Sequence, residues 1–379
     1  MITGNNVLLT GGAGSVGRML VPRLLERDPN VLRVFDNNEP GLSSVRSDVD
    51  DDRCRYLAGD VRDKDRLERA MEDVDIVIHT AAMKHVDICE YNPFEAVKTN
   101  ALGLQNVVDA AIDSDVRRVV FTSSDKAVNP ANTMGTTKLL GEKLITAGNN
   151  HRGDRDLRFA SVRFGNIINS SQSVIPIFRD QIRSGGPITL TDERMTRFFL
   201  TYDDVFDLVS QAIEKTRGGE VFVYKMPAIR IEDLATAMIE TLAPQFGHDP
   251  AGIDVEIVGR RPGETFDEEI MTIRESRRAM ENGSMYAIKP EMTEFQAGDL
   301  PPEFDEPDDI DLSSEHAPKL SVDEIVELLE DSDVVGMSDA SSIDRPQRDE
   351  SSDVKKAATG PEGQTVSFAE EEIPSNTDE

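Results

Sequence analysis

No run of about 18 or more apolar residues occurs anywhere in the 379-residue chain, so no transmembrane helix is expected. The first residues lead almost directly into an apolar strand, with no basic flank and no cleavage site, and no signal peptide is expected either. Cysteine is nearly missing. Cys54 and Cys89 are the only two, they show no metal-ligand spacing, and two thiols are weak support for a disulfide framework. No metal is expected, and a reducing cytoplasm fits best. Lysine is scarce too, with 12 residues against 29 arginines, while 72 acidic residues bring the formal net charge to −31. The segment 336–379 holds 11 acidic and 4 basic side chains, a net of −7, which leaves −24 on the preceding residues. Acidity is therefore spread over the body of the chain. A hydrated acidic surface poor in lysine suggests adaptation to high salt, which screens self-repulsion; an ordinary acidic cytosolic protein is the plainer alternative. Such a field disfavours nucleic acid and anionic membranes as partners.

What is present is a 38% hydrophobic composition, enough for a sizeable core, arranged in alternation. Apolar, β-branched runs lie at 7–10, 31–35, 54–58, 76–80, 118–122 and 158–164, with helical patterns between them at about 15–27, 63–72, 93–112 and 133–148. Asn92-Pro93 reads as a helix start, an N-cap residue before a first-turn proline. Alternation of this kind predicts an α/β fold, a Rossmann-type doubly wound parallel sheet. The expected division is a dinucleotide-binding domain over 1–170, to which later segments return, and a smaller substrate-binding region over 171–334. That region contains short helices near 203–217 and 231–242, a Pro/Asp/Glu-rich loop at 290–318, and a last helix opened by a Ser321/Glu324 capping box. Residues 335–379, with one aromatic and many Ser, Asp and Glu, read as a disordered acidic tail.

Gly11, Gly14 and Gly17 in "VLLTGGAGSVG" sit between the first strand and the first helix. Glycines there let the backbone turn tightly and approach a pyrophosphate at the helix N-terminus; a plain strand-to-helix turn is the bland reading. Asp36, after the second strand, is placed to bind both ribose hydroxyls and to repel a 2′-phosphate, which favours NAD over NADP; the bland reading is a helix-capping aspartate. Asp60, ending the third strand, is placed to meet the adenine amino group or to serve as a turn residue. Ala81 and Ala82, after the fourth strand, leave room for the cofactor. The expected cofactor set is completed by Ser15, Val16, Val61 and Lys138. His79 and His85 read as packing or surface histidines.

The fifth strand ends in Ser123-Ser124-Asp125-Lys126, and the helix after it holds Met134 and Lys138 on one face. In an open α/β sheet, ligands bind beyond the carboxyl ends of the strands. An adjacent acid and base beside a nicotinamide is more than hydride transfer alone requires; the alternative is a surface Asp–Lys pair.

Together these stretches resemble the extended short-chain dehydrogenase/reductases, and within them the UDP-N-acetylglucosamine 4,6-dehydratases of polysaccharide and glycan biosynthesis. "TGGAGSVG", "AAMKHVDICEYNPFEAVKTNALGLQNV", "SSDKAVNPANTMGTTK", "VRFGNIINSSQSVIP", "PITLTDERMTRFFLT" and "GRRPGE" are the stretches that bear the likeness. The resemblance implies that Lys138 holds the nicotinamide ribose and that Met134 stands where most of the superfamily has tyrosine. Some dehydratases of this group are similarly tyrosine-free, so the departure does not imply a dead enzyme. Asp125 and Lys126 match the group's acid/base pair, Asn166 a substrate-binding asparagine, Arg197 and Arg261 the arginines on the diphosphate, and Glu264 the carboxylate on the uridine ribose. The implied reaction oxidises sugar C4, removes the C5 hydrogen with Lys126, expels O6 as water with Asp125, and yields a 4-keto-6-deoxy sugar nucleotide. Ser124, with a water held by Lys138, is the candidate for the C4-hydroxyl proton. Lys126 is expected to have a lowered pKa and Asp125 a raised one. A UDP-sugar 4-epimerase and a catalytically silent nucleotide-binding protein of the same fold are the alternatives. The resemblance also implies a homo-oligomer, a dimer or larger, assembled through the helices near 93–112 and 133–148.

Overall fold

The computed structural model describes residues 1–170, 173–259, 263–291, 299–332 and 334. The tail expected over 335–379 and the substrate arginine Arg261 lie outside the described residues.

The first half runs β1 (Asn6–Thr10), α1 (Ser15–Leu25), β2 (Val31–Asp36), α2 (Glu39–Asp48), β3 (Cys54–Ala58), α3 (Lys64–Met71), β4 (Ile76–His79), α4 (Val86–Tyr91), α5 (Pro93–Ala96), a π-helical turn (Val97–Leu102), α6 (Gly103–Asp113), β5 (Arg118–Thr122), α7 (Thr133–His151) and β6 (Arg158–Arg163). The second half adds β7 (Asn166–Ile167), α8 (Val174–Arg183), β8 (Ile188–Leu190), β9 (Thr196–Leu200), α9 (Tyr202–Lys215), β10 (Val221–Tyr224), β11 (Ala228–Arg230), α10 (Ile231–Leu242), β12 (Val255–Ile257), α11 (Ile273–Ser276), β13 (Ala279–Glu281), β14 (Met285–Ile288) and α12 (Val322–Asp331).

The main sheet has the order β13-β14-β10-β6-β5-β4-β1-β2-β3. From β3 across to β10 neighbouring strands pair in parallel; β14 is antiparallel to both its neighbours, β10 and β13. This is the Rossmann-type doubly wound sheet. Its central strands, β1, β4, β5 and β6, are buried on both faces, as crossover helices on either side require. Val7 and Leu9 of β1 point into one core with Leu20, Val21 and Leu24 of α1 and Val205 and Leu208 of α9. Leu8, one residue out of phase, joins the opposite core with Leu67, Leu104, Val108 and Ile145. Strand order reverses between β1 and β4, which opens a crevice at their carboxyl ends.

A three-stranded sheet, β11-β9-β7, carries the chain from the main sheet to a second core. There Phe178 and Ile182 of α8, Leu234 and Met238 of α10, and Ile325 and Leu329 of α12 are buried together. Ser321 and Glu324 close a reciprocal capping box at the start of α12. Asn92 behaves differently from a side-chain cap: its amide donates back to the Ile88 carbonyl at 3.1 Å and leaves the start of α5 without a side-chain partner. The preceding turn of α4 offers that carbonyl first.

Candidate active site

The dinucleotide cradle is built by close backbone approach. Gly11 has φ +72°, and a Cβ there would lie 2.5 Å from the Ala81 nitrogen. A Cβ on Gly17 would lie 2.1 Å from the Gly11 carbonyl oxygen, so α1 can sit this near the end of β1 only with glycine. Gly14 supplies no capping side chain to the 11-residue helix α1. Asp36 accepts from the Ala13 and Asn38 amides, 2.9 Å each, which fixes its carboxylate at the end of β2. Asp60 is held by Arg62, whose Nη2 lies 2.6 Å away. A cleft of about 420 Å³ is lined by Gly11, Gly14, Asp36, Asp60, Val61, Ala81 and Ala82. Glycines where a side chain would clash, a carboxylate at the end of β2 and a helix that starts at the turn fit a dinucleotide.

A second space of about 560 Å³ continues from it. Ser15, Val16 and Gly17 from α1, Ser124 and Lys126 after β5, Met134 and Lys138 of α7, and Asn166 all line it. α7 is anchored for this purpose. Asn132 caps it by accepting from the Gly135 amide at 2.8 Å. Asn100, buried in the π-helical turn, bonds both backbone groups of Met83 and the Thr137 hydroxyl. Such turns often mark functional sites. Met134 is 4% exposed and packs with Cys89 and Ala96. Lys138 Nζ donates to the Thr122 carbonyl at 2.8 Å and lies 4.8 Å from the Phe121 ring centre. Burial lowers its pKa to about 8, against the opposing pull of Glu142 and Cys89. His79 is a core residue: it stacks on Phe121, its Nδ1 lies 2.7 Å from the Thr10 hydroxyl, and burial keeps the ring neutral.

Beyond Lys126 a third cleft, about 420 Å³, is lined by Asp125, Lys126, Asn166, Arg197, Glu264 and Glu268. Lys126 and Asn166 line both this cleft and the second space, while Asp125 lines this cleft. Asp125 is 2% exposed. Its Oδ1 accepts from the Ser124 hydroxyl at 2.7 Å and the Lys126 amide at 2.8 Å, and lies 3.1 Å from Lys126 Nζ. Its Oδ2 is buried without a hydrogen-bond partner, a place for a proton. Burial, reinforced by the charge of Glu268 and only partly countered by Lys126, raises its pKa to about 7.

Lys126 corrects the expectation of a lowered pKa. Burial does act in that direction, but the Asp125 and Glu268 carboxylates outweigh it and the ammonium is stabilised. The Glu268 Oε1 atom lies 2.6 Å from its Nζ. Ser124 bonds to Asp125 while Lys138 bonds to the β5 backbone, so the two do not share a direct hydrogen bond. Asn166 and Arg197 stand at this cleft, on β7 and β9. The Arg197 guanidinium donates to the Thr265 and Phe266 carbonyls at 2.8 and 3.0 Å. It thereby shapes the loop that presents Glu264.

Glu268 escaped the sequence reading. It is one acid in the run "ETFDEE", and nothing in its spacing separates it from its neighbours. Only the fold brings it to residues more than 70 positions away. Glu142 and Arg163 were missed in the same way. Buried Arg163 bonds Glu142 at 2.6 Å and Glu275 at 3.0 Å, and Glu142 also accepts from Ser123 at 2.6 Å.

This fold and this paired cleft define an extended short-chain dehydrogenase/reductase that acts on nucleotide sugars, of the dehydratase and epimerase kind. Residues 7–290 match the family described as polysaccharide biosynthesis protein, and the chain belongs to that family. It is 41% identical to a UDP-N-acetylglucosamine 4,6-dehydratase (inverting) of Campylobacter jejuni over 292 residues, covering 76% of this chain and 84% of that one. It is 37% identical to a UDP-glucose 4-epimerase of Rickettsia prowazekii, with the same coverage. Among solved structures, dTDP-glucose 4,6-dehydratase DesIV of Streptomyces venezuelae, with NAD and TYD bound, is 25% identical with a TM-score of 0.62, over 69% of this chain and 86% of that one.

Proposed function

We propose that the protein is an NAD-dependent UDP-N-acetylglucosamine 4,6-dehydratase, acting on that or a close UDP-sugar for polysaccharide or glycan biosynthesis. The observation that bears most weight is the Asp125–Lys126 pair at the end of β5, with Asp125 buried and its pKa raised to about 7. Epimerisation at C4 does not require an acid and a base for water loss; dehydration does. NAD, held by the Gly11–Gly17 turn, Asp36 and Lys138, supplies the acceptor and later the donor of hydride. Asp36 at the ribose disfavours the 2′-phosphate of NADP.

The protein groups account for every proton. Ser124, 2.7 Å from Asp125, passes the C4-hydroxyl proton to that carboxylate. A C4 ketone acidifies the C5 hydrogen, which Lys126 removes as the free amine. Asp125 then gives its proton to O6, which leaves as water, and Lys126 returns a proton to C5. Met134 exchanges none; it walls the cleft. Asn166, Glu264 and Arg261 are the proposed UDP-sugar contacts, since a guanidinium fork suits phosphate oxygens; Arg197, whose donors are taken by the Thr265 and Phe266 carbonyls and by Glu268, stands beside them as a positive charge.

Incubation with UDP-N-acetylglucosamine, followed by NMR of the product, tests the reading. A 4-keto-6-deoxy sugar supports it, an isomeric hexose identifies an epimerase, and no turnover with cofactor bound identifies a silent binding protein.

Two buried free thiols fit a reducing, cytoplasmic setting, and the spread negative charge fits a salt-adapted protein. Among the described residues no helix is long and apolar enough to cross a membrane. Assembly into a homo-oligomer, a dimer or larger, through the helices near 93–112 and 133–148 is supported by Phe94, Leu102 and Leu140, exposed there, and by Ile88 and Tyr91, exposed just before them.

A further inference from the structure

Glu268 is nearly enclosed, its side chain 5% exposed, and the partners of its carboxylate are functional candidates. Oε1 lies 2.6 Å from Lys126 Nζ and 3.3 Å from Arg197 Nε, and Oε2 accepts from the Asn166 amide at 2.9 Å. Its backbone is fixed from the other side, with the amide donating to the Ser314 hydroxyl at 2.9 Å and the carbonyl accepting from the Ser314 amide at 2.8 Å. Among the described residues, the remaining charged groups of this cleft are Asp125, Glu264, Asp267 and Glu269. Asp267 accepts from Ser313 at 2.8 Å and Glu269 from Asn129.

A buried carboxylate with two cations on one oxygen is a fixed negative charge, and a fixed negative charge holds protons on the groups around it. Lys126 and Asp125 are those groups. We propose that Glu268 is a positioning residue for the acid and the base. It holds the Lys126 ammonium against Asp125, sets the protonation of both, and ties that pair to the side chains that receive the substrate. The inference rests on the dehydratase reading for its meaning in turnover, but not for its test. The sign is definite. Without this charge both neighbours release their protons more readily, so both titrate at lower pH.

The test compares wild type, Glu268→Gln and Glu268→Asp as full-length protein. Lysine Cε and aspartate Cγ carbons are ¹³C-labelled, and NMR titrations of the free enzyme assign Lys126 and Asp125 by loss of their signals in Lys126→Arg and Asp125→Asn. In Glu268→Gln both titrations should move down by roughly 1–3 pH units, the range for one close charge. Both limbs of the kcat/KM pH profile should move down with them. Glu268→Asp, which keeps the charge but draws it back, should shift less in the same direction, and it serves alone if Glu268→Gln does not fold. Unmoved titrations, with activity lost equally at every pH, would show a merely structural residue and overturn the proposal. A wild-type enzyme that makes only an epimer would sink the dehydratase reading, while the titrations, which need no turnover, would still decide the role of Glu268.

Discussion

At Met134 and Lys126 the division of labour between packing and proton transfer is open to direct test. A thioether exchanges no proton, and Met134 is packed against Cys89 and Ala96. Met134→Leu keeps most of that volume, so turnover should fall only modestly. Lys126→Ala removes the base from the cleft and should slow elimination by roughly 10²–10⁴-fold, the usual scale of general acid–base catalysis. Product formation and deuterium wash-in at sugar C5 in D₂O measure both variants. Equal inactivation of Met134→Leu, with fold and cofactor binding intact, would show that Met134 takes part in the chemistry. The upward shift of Lys126 sharpens this. A cationic lysine is no base, so the reactive form is the minor one, and the carboxylates that stabilise the ammonium set how minor.

Elements matter here by what they hold in place. Arg163 leaves β6 to meet Glu142 of α7 and Glu275 of α11, and Glu142 in turn holds Ser123. One buried ion triad therefore joins the sheet, the helix of Met134 and Lys138, and the loop of the acid and base. Arg163→Ala would strand two buried carboxylates. Losing one member of a buried ion pair costs about 3–5 kcal/mol, so the urea midpoint should fall steeply. Replacement of the whole triad by apolar residues should cost far less. A midpoint unchanged in Arg163→Ala would mean that water reaches the triad. The π-helical turn is a second device of this kind. The helical pattern read over 93–112 is a single periodic segment in sequence, yet it comprises α5, the turn at Val97–Leu102 and α6, because Asn100 is drawn in to Met83 and Thr137.

Over the whole molecule, charge and exposed apolar surface make the predictions. With −24 on residues 1–335, lowering KCl from molar to millimolar should unscreen the repulsion and lower the melting temperature. A flat or rising melting temperature would count against salt adaptation. Tyr91 is 87% and Phe94 65% exposed, an unusual position for large aromatics on an acidic, hydrated protein. If a second copy covers them, Tyr91→Glu with Phe94→Glu should turn a dimer into a monomer in sedimentation velocity at constant high salt. An unchanged dimer would place the interface elsewhere.

Sequence by itself determined the parallel sheet. Most strands of the first half are short apolar runs rich in β-branched residues, although β3, CRYLA, has none, and local periodicity together with the handedness of crossovers leaves few arrangements. α2 and α4 were not read from the pattern. α2 buries only Leu42 and Val45, and α4 only Cys89, too few positions for a stripe. The glycine turn, Asp36 and the Asp125–Lys126 pair were legible because they occupy fixed places after strands. Tertiary structure decided the rest. It bound the Arg197 guanidinium to loop carbonyls, buried Arg163 between two acids, and brought Glu268 to Lys126. The protonation of that lysine depends on carboxylates that the chain supplies from both sides of it. A pKa is set by distance and burial in space, and neither can be read from position along the chain.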